Sequence, residues 1–313
     1  MRALLSRYSF ALLVLLVGAT LSAPAFATPG ECQRAIIGNY RSYAVVRMKT
    51  VQFCEDKVVK GQLPVGTDCQ TGPDVALKLA AAEQKFRHHV SSACGGNNHT
   101  CNAADTGQSA DETLASIGWD IGACPDIEGS GCANPIADCN DIEDCLVCLT
   151  VAAEGQAIAL DYGSLNVPTS DRKLEACQRE IGKRSAEFLE KKLKALARCE
   201  RKVLAGDFAG PCPDPGTVQT IATLDAKIHA KVCNKCGGAN KVCGGGDDRT
   251  PTEIGSVASC PGVTVPGGAS CAGAIATVDD ITTCANCVGE FKDDCLDAAL
   301  VPALESYPTE CNP

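Results

Sequence analysis

The chain has 313 residues, a formal charge of −10, 22 cysteines, and only 4% aromatic side chains with a single tryptophan, Trp119. An acidic protein without interleaved aromatics is not built to stack nucleic-acid bases, and beyond the first 27 residues no uncharged apolar run approaches the roughly 18 residues a membrane span needs. A core short of large rings buries less apolar area per residue, which leaves cross-links to limit the unfolded chain.

Taken in chain order, residues 1–27 read as a secretory signal peptide: Arg2 and Arg7 flank a short n-region, residues 11–17 are continuously apolar, and Ala25-Phe26-Ala27 is a small-x-small cleavage site. The expected product is soluble and secreted or periplasmic, and begins near Thr28. From there on the chain carries a duplicated cysteine lattice. Cys32 and Cys54 are 22 residues apart, as are Cys177 and Cys199, and Cys132, Cys145 and Cys148 return 139 residues later as Cys271, Cys284 and Cys287. Two tandem units are therefore expected, 28–168 and 169–313, in an oxidising compartment.

In the first unit, apolar positions near 3.6-residue spacing (Ile36, Tyr40, Tyr43, Phe53) predict a long helix over 31–60, stopped by Gly61 and Pro64. A second helix starts at Thr71 or Gly72, with Pro73 in its first turn, and ends at Cys94-Gly95-Gly96. Residues 102–136 are rich in Gly and Asp and read as irregular. A shorter third helix starts at Asp141 or Asp144, acidic residues suited to a helix N-terminus, and runs to Leu160. The second unit restates this order: a helix capped by Ser170 or Asp171 and ending near Gly206, a helix over 217–232, an irregular stretch over 244–273, and a helix from Asp279 or Asp280 to Leu300. The expected fold class is all-α: two disulfide-stapled helical repeats, each a long antiparallel hairpin, a Gly/Asp-rich loop region and a third helix.

Helix rise restricts the pairing. Cys32 and Cys54 stand about 33 Å apart on one helix, beyond disulfide reach. Folding the second helix back antiparallel brings Cys69 to Cys54 and Cys94 to Cys32. The same construction joins Cys199 to Cys212 and Cys177 to Cys236 (or its neighbour Cys233). Nine cysteines correspond between the units, an odd number, so the units either complete their bridges differently or exchange one. Such stapled hairpins resemble saposin-like and plant lipid-transfer folds. Those are shorter, however, and the adjacent Cys-Cys and the Cys-x-Cys of the transfer proteins do not occur here, so the resemblance assigns no family.

Chemistry-bearing motifs are few. Cys145/Cys148 and Cys284/Cys287 are Cys-x-x-Cys pairs near helix starts, where a thiol pKa falls, but no strand–helix alternation supplies a thioredoxin-like setting. Zinc would need unbridged ligands, which an oxidising compartment disfavours. Asp105, Asp111 and Glu112 in one loop, and Asp247, Asp248 and Glu253 in the other, offer oxygen ligands to calcium, though neither loop fits the EF-hand pattern. No catalytic nucleophile motif or phosphate-binding loop is present, and no other cofactor is expected. Charge is segregated: residues 101–171 hold thirteen acidic and no basic side chains, whereas 172–202 hold eleven basic and five acidic ones. Either the halves face each other or a partner docks on one lobe. The favoured reading is a secreted, non-enzymatic binding or structural module for an extracellular or periplasmic protein or glycan. The alternatives are a thiol–disulfide oxidoreductase and an extracellular lipid carrier.

Overall fold

The computed structural model describes residues 28–102, 106–107, 110–300, 302–304 and 306–312. The expected signal segment, 1–27, lies outside them. Among the described residues the protein is all-α, with eight helices and one minimal strand pair.

The first long helix, α1 (Pro29–Val59), opens on a capping box in which Thr28 and Glu31 satisfy each other's backbone N–H groups, with Pro29 in the first turn. It is followed by α2 (Pro73–Cys94), capped by Gly72. The two pack antiparallel, with the Tyr43 ring stacked on Phe86 at 5.5 Å between centroids. Beyond them come a one-turn helix, α3 (Leu114–Ile117), and α4 (Cys139–Tyr162). The second half repeats the order as α5 (Arg172–Leu204), α6 (Pro215–Cys236), one-turn α7 (Pro251–Ile254) and α8 (Val278–Ala298). The stretches read as irregular are therefore not wholly so. Each holds a one-turn helix, and 244–273 also holds β1 (Ser259–Cys260), whose antiparallel partner β2 (Gly273–Ala274) begins where the stretch ends.

Four helix starts fall earlier than the sequence suggests, for one reason: Glu31, Asp141, Thr217 and Asp280, taken as first residues, are the third residues of their helices, with Thr28 capping the first. The other caps are Asp138, Asp214 and Thr277, whose side-chain oxygens accept from those backbone N–H groups.

The halves share one core. Its main cluster takes Ile36, Tyr40 and Leu146 from the first half and Ile181, Phe291 and Leu296 from the second. Trp119, fully buried, donates its indole N–H to the Leu300 carbonyl at 3.1 Å, across the two halves. The long helices α1 and α5 run antiparallel: Lys49 pairs with Glu190 at 2.6 Å, and Asp56, further along α1, pairs with Arg179, earlier on α5, at 3.7 Å. One helix, α4, is long and apolar enough to cross a membrane, but 56% of its most apolar window is packed inside the fold. It also carries Cys139, Cys145 and Cys148, all bridged to preceding loops.

The contact between α4 and α5 depends on a glycine. A Cβ on Gly182 would fall 2.2 Å from Cε2 of the Tyr162 ring. That ring is held by its hydroxyl, which donates to Asp56 at 3.1 Å. Gly182→Ala is expected to cost about 1–3 kcal/mol through overpacking, read as a lower urea midpoint at constant m-value. An unchanged midpoint would mean that the ring moves aside freely.

Candidate functional site

Eleven bridges join all 22 cysteines, and none is free. The hairpin ends are closed by Cys32–Cys94 and Cys54–Cys69 in the first half, and by Cys177–Cys236 and Cys199–Cys212 in the second. The odd cysteine is resolved within each half. Cys101 bonds Cys139 at the start of α4, whereas its counterpart Cys243 bonds Cys233 near the end of α6. Cys295–Cys311 is an extra bridge in the second half.

No Cys-x-x-Cys closes on itself. Cys145 is bonded to Cys124 and Cys148 to Cys132; Cys284 is bonded to Cys260 and Cys287 to Cys271. Neither pair forms the internal disulfide that the redox alternative would use. Residues three apart on a helix face the same way, so both sulfurs reach the loop that lies over that face rather than each other. A dithiol–disulfide couple needs the two to exchange with one another.

Most of the described calcium candidates accept from backbone N–H groups. Asp105 lies outside the described residues. Asp111 accepts from the Asn102 N–H at 2.7 Å, and Glu112 accepts from the Ser116 hydroxyl at 3.2 Å. Asp247 accepts from Ala239 N–H at 2.7 Å, and Asp248 from Gly244 N–H at 2.7 Å and Gly245 N–H at 3.0 Å. Glu253 closes the capping box of α7. These carboxylates act as turn and cap acceptors, the role Asp and Glu take where local N–H groups lack partners. Two tight clusters, His229 with Cys233 and Cys243, and Asp111 with Cys101 and Cys139, have metal-ligand spacing. In both, the sulfurs belong to disulfides, so neither offers a thiolate.

What the sequence does not announce is a groove of about 500 Å³ in the second half, between α5, α6, α8 and the 265–269 loop. Phe188, Leu196, Val218, Ile221 and Val265 form apolar walls. Four carboxylates border them: Asp225 from α6, and Glu290, Asp294 and Asp297 from α8. The last three lie at i, i+4 and i+7, one face of a helix. Lys192 answers two of them, Glu290 and Asp294. Lys192, with a side chain only 1% exposed, lies 2.7 Å from Asp294 and 3.4 Å from Glu290, and donates to the Glu290 carbonyl at 3.1 Å. Burial holds the Asp294 carboxyl above its usual range, with Lys192 opposing. Asp225 accepts from the Asn286 amide.

The groove is not duplicated. Aligned on the Cys-x-x-Cys pairs, Glu290, Asp294 and Asp297 correspond to Val151, Gly155 and Ile158 of α4. That contrast between two otherwise similar helices is the one sequence signal that could have located the site. No known protein family, curated protein or solved structure matches this chain.

Proposed function

We propose that this protein is a secreted, disulfide-locked, non-enzymatic binding module whose ligand is a basic protein segment carrying an apolar side chain. The groove between α5, α6 and α8 carries the reading: apolar walls suited to one large side chain, bordered by four carboxylates against one ammonium. The full set of bridges supports an oxidising, extracellular setting. A protein partner fits better than a glycan, because Phe188, the only aromatic lining residue, is itself buried in the core and offers no ring on which a sugar could stack. An anionic lipid would meet like charge at the rim.

The test is titration with a short labelled Lys/Phe peptide and its Glu/Phe counterpart. The basic peptide is expected to bind, to weaken with salt, and to lose about tenfold or more in affinity to an Asp225→Asn/Asp297→Asn variant. Equal binding of the acidic peptide, or indifference to the double substitution, would overturn the reading.

A further inference from the structure

On the side of α5 opposite the groove lies a basic face. Lys183 and Glu190 of α5 border it together with Phe53 and Lys49 of α1 and Lys78 of α2. At about 100° per residue, Lys183, Glu187 and Glu190 sit about half a turn from Phe188, Lys192 and Leu196, which line the groove. Much of the charge here is already answered within the molecule. Lys49 pairs with Glu190 at 2.6 Å. Glu187 is drawn up by burial, but the Lys191, Lys231 and Arg184 donors overcome this and hold it at about 2. Lys78 and Lys183 are exposed and stand outside every ion pair among the described residues. On the same face lies Phe53, 57% exposed and the one exposed Phe, Tyr or Trp among the described residues, with the Lys57 ammonium 5.0 Å above its ring.

Resting on the groove reading, we infer that the groove's partner is a second copy of this chain, whose Phe53 enters the apolar walls while Lys57, Lys78 and Lys183 meet the carboxylate rim. The side chains lining the groove are net acidic and those lining this face are net basic, so each face supplies charge that the other lacks. Because the faces differ and lie on opposite sides of one helix, the contact is heterologous: each molecule offers a groove to one neighbour and a ring to another.

A heterologous contact has a distinctive test. Sedimentation velocity over a concentration series at low salt is expected to show wild-type association that molar salt reverses. A basic-face variant, Lys78→Glu/Lys183→Glu, and a groove variant, Asp225→Asn/Asp297→Asn, should each associate at least about tenfold more weakly alone. Mixed, they should form a 1:1 dimer, since the first keeps an intact groove and the second an intact basic face. Far-UV circular dichroism and a zero free-thiol count establish that both variants are folded. Wild type that stays monomeric at low salt, association that survives both variants, or a mixture that does not pair would each overturn the inference. A monomeric wild type that still binds the Lys/Phe peptide would remove the second copy and leave the groove reading intact, whereas loss of peptide binding would remove both.

Discussion

Reduction of the bridges in dilute buffer at neutral pH is expected to abolish the cooperative thermal transition and most of the helical circular dichroism. The chain has seven Phe, five Tyr and one Trp in 313 residues, so its core buries few large rings. Each bridge nominally contributes about 2–4 kcal/mol, by a mechanism that depends on the model chosen. Nested loops are not additive, but even a third of eleven such terms is comparable to the whole net stability of a domain, about 5–15 kcal/mol. The effect should be graded. Cys32→Ser/Cys94→Ser opens a bridge of separation 62 between two fully buried residues, and is expected to cost near the upper end of about 2–5 kcal/mol. Cys295→Ser/Cys311→Ser opens one of separation 16 that ties down the last residues and should cost less. Urea midpoints of the two variants, measured under non-reducing conditions, check the order. A reduced wild type that still melts cooperatively would show that the apolar core suffices alone.

Stability is also expected to fall as pH rises from about 4.5 to about 7.5, the opposite of the usual behaviour of a carboxylate-rich surface. The cause is a set of carboxyl groups inside the fold. Burial pushes Glu143 up to about 7, against the opposing Ser91 and Arg87 contacts, and pushes Asp161 up to about 7, against a hydrogen bond from Ser185. Burial also holds Glu154 well above the carboxylate range despite Arg47, and Asp293 likewise despite Lys192; neither Asp293 oxygen has a hydrogen-bond partner. A carboxyl whose folded pKa exceeds its unfolded one keeps its proton in the native state after the unfolded state has lost it. The stability it contributes is full below the unfolded value near 4 and is lost as pH climbs through the folded value. For Glu143 and Asp161 the loss is on the order of 3 kcal/mol each. Opposing groups act lower on the scale: Asp214 is held at about 2 by Lys202 and the Thr217 N–H, and Asp280 is lowered by Thr277. Their contribution disappears only as pH falls below the ordinary carboxylate range. Thermal midpoints should therefore peak near pH 4–5 and drop by on the order of 10 °C toward pH 7.5. Asp161→Asn should flatten the neutral limb. A midpoint that rises between pH 5 and 7 would contradict the buried-acid account.

Much of the fold was legible because rigid geometry left few choices. A helix rise of about 1.5 Å per residue forbade Cys32–Cys54, and an antiparallel return then left Cys94 and Cys69 as the neighbours within reach. Where the partner lies in a loop, as with Cys124 and Cys132, spacing could not choose, because loop conformation decides which sulfur arrives. The true N-caps at Asp138, Asp214 and Thr277 were missed because acidic or hydroxyl residues at the third helical position look, in the sequence, like the helix start itself. The groove was illegible for another reason. Its walls come from residues between Phe188 and Pro308 on several elements, and no local motif links them. Only the contrast of Val151, Gly155 and Ile158 in α4 with the acids at the matching positions of α8 marks it. The Asp/Gly-rich loops show why composition alone does not assign a role: most of their carboxylates that the sequence offers as calcium ligands accept from nearby backbone amides.

The wiring of the bridges has a mechanical consequence. Pulled from Cys32 and Cys311, the oxidised chain transmits force through sulfur wherever a bridge offers a shorter path. Among the described residues, every bridge joins two cysteines of the same half. The longest stretch with no such shortcut runs from Cys148 to Cys177, most of α4 and the start of α5. Under load the molecule would part there first, along the shared core, and each half could then open further only at the shorter unbridged stretches 94–101, 243–260 and 287–295. Strung head to tail, such units would form a chain whose extension is set by these few seams in each link.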